Sequence, residues 1–213
     1  LGGVYDITKG TSGGSSNSTI VPGFDWRDRH GANNQIFSNS PYYDDFLGWM
    51  TPVDKQDCNH CWVFAPVHAT EALVNLYFNQ QLNLDLSEQS IPSCQYPIDH
   101  CSGGDISTSF TYLKTDGIVD ENCFPYQDSP AGNQNPCNNI CLNPTEKIKI
   151  NNSIEIAQDE DIIKETIINR GPVVMNIQSW WHYMVFCGFG RIYYLDTYYN
   201  YSNDTLFHQI TDP

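Results

Sequence analysis

A chain of 213 residues, 40% hydrophobic and 13% aromatic, can bury one large core or two small lobes, which excludes a disordered polymer. Its 25 acidic residues against 10 basic ones give a net charge of -15, which argues against nucleic-acid binding and against docking on anionic membranes. No run of about 18 apolar residues occurs, so no membrane-spanning helix is predicted.

The chain opens Leu1-Gly2-Gly3, with neither a charged nor an apolar leader region, so any signal peptide or propeptide is expected to have been removed. Residues 1–21 are rich in Gly, Ser and Thr and are expected to form a flexible leader or the remnant of a prosegment. Globular sequence, residues 22–213, starts near Phe24-Asp25-Trp26-Arg27, and residues 31–50 read as a surface loop. Cys61 to Phe78 is the strongest helix, with Phe64, Val67, Ala72, Leu73, Leu76 and Tyr77 at roughly helical spacing. Pro66 is tolerated only near a first turn, so this helix must begin just before it, with Cys61 at its N-terminus. Leu86 to Gln89 reads as a short capped turn, and Asp105 to Thr115 and Asp159 to Asn169 as further helices, the last stopped by Gly171-Pro172. Val173 to Ile177, Tyr183 to Phe189 and Ile192 to Tyr199 are rich in β-branched and aromatic residues and read as strands. A helical first half and a strand-rich second half predict an α+β fold of two lobes, with a cleft between them as the natural site.

Eight cysteines stand at 58, 61, 94, 101, 123, 137, 141 and 187. Cys58-x-x-Cys61 and Cys137-x-x-x-Cys141 have the spacing of zinc ligands, but a disulfide framework competes. Four glycosylation acceptors, Asn17, Asn151, Asn200 and Asn203, lean towards an oxidising compartment and so towards disulfides. A cysteine at a helix N-terminus is a candidate nucleophile, because free N–H groups and the helix dipole favour the thiolate. It also needs an imidazole to carry the proton to the leaving amine.

The segment Gln56-Asp57-Cys58-Asn59-His60-Cys61-Trp62-Val63-Phe64-Ala65 resembles the active-site segment of the papain family of cysteine peptidases. Phe24-Asp25-Trp26-Arg27, Thr51-Pro52-Val53, Glu71-Ala72-Leu73, Leu86-Ser87-Glu88-Gln89, Cys101-Ser102-Gly103-Gly104, Cys123-Phe124-Pro125-Tyr126 and Gly171-Pro172 follow in the family's order, covering about residues 22 to 190. The resemblance implies a two-lobe α+β fold, a helical left lobe and a β-barrel-like right lobe, with the right lobe incomplete in this chain. It implies Cys61 as nucleophile of an acyl-enzyme mechanism, Gln56 and the Cys61 N–H as oxyanion donors, and Gly103 and Gly104 beside an extended peptide or protein substrate. It further implies disulfides Cys58–Cys101, Cys94–Cys137 and Cys123–Cys141, leaving Cys61 free and Cys187 as an inert buried thiol. No cofactor and no metal is called for, and a secreted or lysosome-like location is expected.

His182-Tyr183-Met184-Val185-Phe186-Cys187-Gly188-Phe189-Gly190 resembles the family's catalytic His followed by its strand and Gly-aromatic-Gly end, in a branch with a short segment after Gly171-Pro172. A rival alignment puts that role on His208 or on a residue past Pro213. His60 points away from its neighbour Cys61 and is a poor base; His30 and His100 read as surface residues, and His68 as packing or surface. The sequence departs from the pattern in three ways. Only Asp57 separates Gln56 from Cys58, Asn59-His60 replaces a Gly-Ser pair and narrows the space beside Cys61, and no Asn-Ser-Trp segment follows. The polypeptide is therefore expected to continue past Pro213, either as a stretch not represented in this sequence or as a second chain, a partner carrying the C-terminal part of the domain. Asp105 faces either a substrate side chain or solvent. The readings that compete with a peptidase are a catalytically silent homologue with a peptide-binding or structural role, and a cysteine-rich or zinc module.

Overall fold

The computed structural model describes residues 24–27, 48–95, 101, 103–129 and 135–189. The expected leader (1–21), the predicted strand 192–199, His30, His100, His208, Asn17, Asn200 and Asn203 lie outside the described residues.

Helix α1 spans Cys61–Phe78, with His60 as its N-cap and a left-handed Asn79 as its C-cap. Eleven of its residues are buried, including Thr70, Glu71 and Asn75, so it is enclosed on nearly every face. Pro66 stands beyond the first turn, where sequence reasoning would not place it. It lacks the N–H that would bond the Trp62 carbonyl four residues earlier. The Ser109 hydroxyl donates to that carbonyl instead, at 2.7 Å.

Ser109 lies on α3 (Ile106–Thr115), whose N-cap Asp105 accepts from the Ser107 N–H. Between them, α2 (Ser90–Gln95) continues the expected turn at Glu88-Gln89 into a helix. Trp62, Val63, Val67 and Val74 of α1 pack with Leu84, Leu86, Ile91, Leu113 and Ile118 in the main core. Each such fully buried aliphatic side chain contributes about 2 kcal/mol. Two short strands, β2 (Ile118–Val119) and β3 (Lys147–Ile148), pair antiparallel at the edge of this core. Asp120 fixes the chain beyond them, accepting from the N–H groups of Cys123 and Glu146.

Beyond α4 (Glu160–Arg170), capped by Asp159 and ended by Gly171, the chain forms β4 (Val173–Ile177) and β5 (His182–Phe186). They pair antiparallel from Val173↔Phe186 to Ile177↔His182. The predicted strand 183–189 is interrupted at Cys187; its end, β6 (Gly188–Phe189), pairs instead with β1 (Phe24–Asp25). The break lets Cys187 accept the Trp26 N–H through its carbonyl, while its half-buried thiol meets Asp25 Oδ1 at 3.8 Å. Burial, and then Asp25, push that thiol up to about 11, so it is unreactive at neutral pH. The fold is α+β, helical in the first half and strand-bearing in the second.

Disulfides join Cys58–Cys101, Cys94–Cys137 and Cys123–Cys141, the three pairings implied by the resemblance. Cys58 and Cys61 are therefore not a ligand pair: Cys61 carries a free thiol.

The fold also buries carboxyls. Glu71 accepts from Thr51 Oγ1 (2.5 Å) and the Leu86 N–H (2.7 Å). Burial raises it to about 8, helped by the charges of Asp85 and Asp54. Glu88, 5% exposed, is raised by burial and then by Glu71, and burial raises Glu121 to about 7. The charged forms are disfavoured in the fold, so the stability these groups give is complete below their ordinary value. It is lost as pH rises through 7 to 8. The thermal unfolding midpoint should therefore fall between pH 5 and pH 8. In Glu71→Gln the amide can still accept from Leu86 and donate to Thr51, and the loss of stability across this range should shrink by on the order of 3 kcal/mol, with a correspondingly smaller fall of the midpoint. A midpoint that does not change across this range in the unmodified protein contradicts the assignment.

Candidate active site

The site is built from the start of α1. Cys61 is its first residue, half-buried, beside backbone N–H groups that the helix leaves free. A tight turn precedes it: the His60 N–H donates to the Cys58 carbonyl (2.8 Å), and the His60 carbonyl accepts from Val63 and Phe64. The Cys58–Cys101 disulfide ties this turn to Cys101, two residues before the glycine pair.

A cleft of about 700 Å³ opens here. One wall carries Gln56, Asn59, Cys61 and Trp62, with Gly103 and Gly104 beside them; the other carries Asn176, Trp180, Trp181, His182 and Tyr183. The structure thus brings Cys61, Gln56, His182 and both glycines to one cleft.

The two glycines differ physically. A Cβ on Gly104 would stand 2.4 Å from Trp62 Cε2, far closer than van der Waals contact with the indole allows, so Gly104 is small because Trp62 packs on it. A Cβ on Gly103 would meet no heavy atom within 4 Å, and Gly103 is exposed. The wide-open position is therefore Gly103, the close-packed one Gly104.

The opposite wall hangs on the β4–β5 hairpin. A 3-10 turn at Gln178–Trp180 leads to Trp181 in the left-handed region (φ 51°), and His182 then begins β5 opposite Ile177. Trp180 and Trp181 are 66% and 86% exposed at the mouth of the cleft. Tyr183 crosses towards the other wall, where its hydroxyl meets the backbone of Ile106; burial first, and then Asp105, raise its pKa.

His60 corrects an expectation. Its ring is fully buried against Tyr126 and Trp62 and does not line the cleft, so it does not narrow the space beside Cys61; Asn59 is the neighbour that does line it. His68 is half-buried, with Nδ1 3.5 Å from Thr51 Oγ1, and burial lowers its pKa. Asp105 is exposed and occupied as the cap of α3. Asn151 is exposed, as a glycosylated residue must be. Sequence reasoning missed Asn176, Trp180 and Trp181; the adjacency of the Trp pair to His182 was the available signal.

The comparisons bear on the family and the fold. A family model described as papain family cysteine protease matches residues 47–210. Cathepsin R of Mus musculus is 33% identical over 137 residues, 62% of this chain and 38% of the relative. Digestive cysteine proteinase 3 of Homarus americanus is 32% identical over 136 residues, 61% of this chain and 39% of the relative. The chain thus spans about two fifths of the length of the relatives it matches. Among solved structures, a Carica candamarcensis cysteine protease in complex with E-64 superposes with a TM-score of 0.59 at 22% identity, covering 80% of this chain and 78% of that one. The proform of the ragweed pollen protease Amb a 11 gives 0.56 at 21% identity, covering 82% and 53%.

The contrast between the glycines is testable. Gly104→Ala should cost about 1–3 kcal/mol of stability, because Trp62 must move. Gly103→Ala should leave the unfolding midpoint unchanged, so any loss of peptide binding in that variant reports a direct substrate contact. Equal midpoints for the two variants would contradict the packing described.

Proposed function

The chain belongs to the papain family of cysteine proteases, and from that premise we propose that it hydrolyses peptide bonds through a thiolate acyl-enzyme mechanism. The observation that carries this reading is the cleft shared by Cys61, Gln56 and His182 at the start of α1. Cys61 attacks the substrate carbonyl. Its new C–S bond leaves a tetrahedral oxyanion, which the Gln56 side chain and the Cys61 N–H receive. His182 takes the thiol proton and returns it to the leaving amine, and water then hydrolyses the thioester with the same His as base. The acyl side of the substrate lies along Gly103, which is open, and Trp180 and Trp181 border the cleft next to His182. The Asn that would aim His182 comes, in this reading, from a polypeptide carrying the remainder of the second lobe.

Three disulfides support an oxidising, extracytoplasmic location. The exposed Asn151 supports glycosylation there.

The test is labelling by an epoxide thiol inhibitor, beside hydrolysis of a peptide amide, on protein whose intact mass has been measured. Stoichiometric label at Cys61 is expected, and Cys61→Ala should abolish both label and turnover. His182→Ala should lower turnover by at least about a thousandfold. Intact protein that takes no label at Cys61 would instead support a silent homologue. Full activity in His182→Ala would move the base to another residue.

A further inference from the structure

Behind the catalytic cleft, two residues with no part in the mechanism meet. His60, fully buried, directs Nδ1 to the Tyr126 hydroxyl at 2.9 Å, and the two rings stand edge-on at 5.7 Å. Phe64 of α1 closes the other side of Tyr126 at 5.0 Å, again edge-on. The backbone amides of Cys58 and Asp57 also face this hydroxyl and favour its anionic form, while burial pushes it up to about 12, so it stays a neutral phenol. The Tyr126 N–H in turn donates to Glu121 Oε1 at 2.6 Å, and the N–H groups of Gln127 and Asp128 donate to the buried Gln89. Tyr126 is thus a rigidly mounted hydroxyl.

What it touches is the only stretch of backbone between Gln56 and Cys61. Asp57 and Cys58 follow Gln56 directly, and His60 precedes Cys61 and caps its helix. The loop here is one residue shorter than the pattern it resembles, and a buried His stands where that pattern has a small residue. A shortened loop must take its own course from Gln56 to the helix start, and Tyr126 meets that course at Asp57, Cys58 and His60.

We infer that the His60–Tyr126 contact is a positioning device, holding the 57–60 turn so that the Gln56 amide and the Cys61 N–H converge on one oxyanion. The inference rests on the peptidase reading and adds two positioning residues to it. Neither residue touches substrate. Their effect is on the tetrahedral intermediate, so it should appear in kcat and not in the intrinsic reactivity of the thiol.

The experiment uses the whole active protein, first titrated with the epoxide inhibitor to count competent Cys61. Tyr126→Phe removes one hydroxyl and keeps the ring. It should lower kcat about tenfold or more with KM within about twofold, a smaller loss than removing an oxyanion donor outright. A peptide aldehyde, which forms a tetrahedral adduct, should bind more weakly by the same factor. Alkylation of Cys61 by iodoacetamide, which forms no oxyanion at a carbonyl, should be unchanged. His60→Ala should behave like Tyr126→Phe, and His60→Asn, whose amide overlays Nδ1, should recover most of the rate. If Tyr126→Phe slows alkylation as much as turnover, or if turnover is unaffected, the contact is merely structural and the inference is overturned. If Tyr126→Phe fails to fold, the His60→Asn and His60→Ala pair decides alone: equal rates overturn the inference, and recovery in Asn alone supports it. Absence of any label in the unmodified protein overturns the peptidase reading instead.

Discussion

The wall of the site that carries Cys61 depends on how Trp62 is held. Its carbonyl is deprived of a helical donor by Pro66 and is buried, and such an acceptor left unmet would cost about 1–3 kcal/mol. The Ser109 hydroxyl meets it. That single bond fixes the phase of α3 against α1, and it does so one residue past Cys61. The indole of the same residue packs on Gly104, just before α3 begins. Both ends of Trp62 therefore position the glycine segment relative to the thiol, and the Cys58–Cys101 disulfide closes the same loop from the other side. The wall of the cleft that carries Cys61 is thus tied together around Trp62, with the disulfide closing the turn before it.

Much of this was legible in the sequence, for identifiable reasons. The limits of α1, α3 and α4 follow from local chemistry: an Asp N-cap before Ile106 and Glu160, a glycine near the ends of the latter two, and apolar periodicity through α1. What was not legible has its partner far away along the chain. Strands of two residues, such as Phe24–Asp25 and Ile118–Val119, have no period of their own and exist only because Phe189 and Ile148 lie beside them. The helix Ser90–Gln95 contains Pro92 and Cys94, and its buried face owes more to Asn135, whose carbonyl accepts from Ser93, than to its own propensities.

The buried polar residues of α1 show the same limit. Asn75 donates to the Trp49 carbonyl and accepts from the Leu82 N–H, and Glu71 receives Thr51 and Leu86. These residues sew the flanking loops onto the helix, so they sit inside although their chemistry would place them outside. Read alone, they only weaken the hydrophobic pattern. His60 is the sharpest case. Direction along the chain correctly removed it as a base for Cys61, but nothing local disclosed Tyr126, so a buried anchor was read as a bulky neighbour in the cleft.

The two walls differ in kind. Cys61 is fixed by a helix start, a disulfide and a packed indole. Among the described residues, His182 is fixed through its backbone, by pairing with Ile177 and by the left-handed Trp181 that precedes it. Pairing sets where the Cα stands, whereas the imidazole plane turns about a soft torsion that a ladder does not control. Among the described residues, no hydrogen bond holds that ring, and every residue of β5 is only half-buried. Packing this strand and aiming this imidazole are thus one physical problem. In the proposed mechanism, a polypeptide that covers this hairpin would also be the one to bring an acceptor to His182.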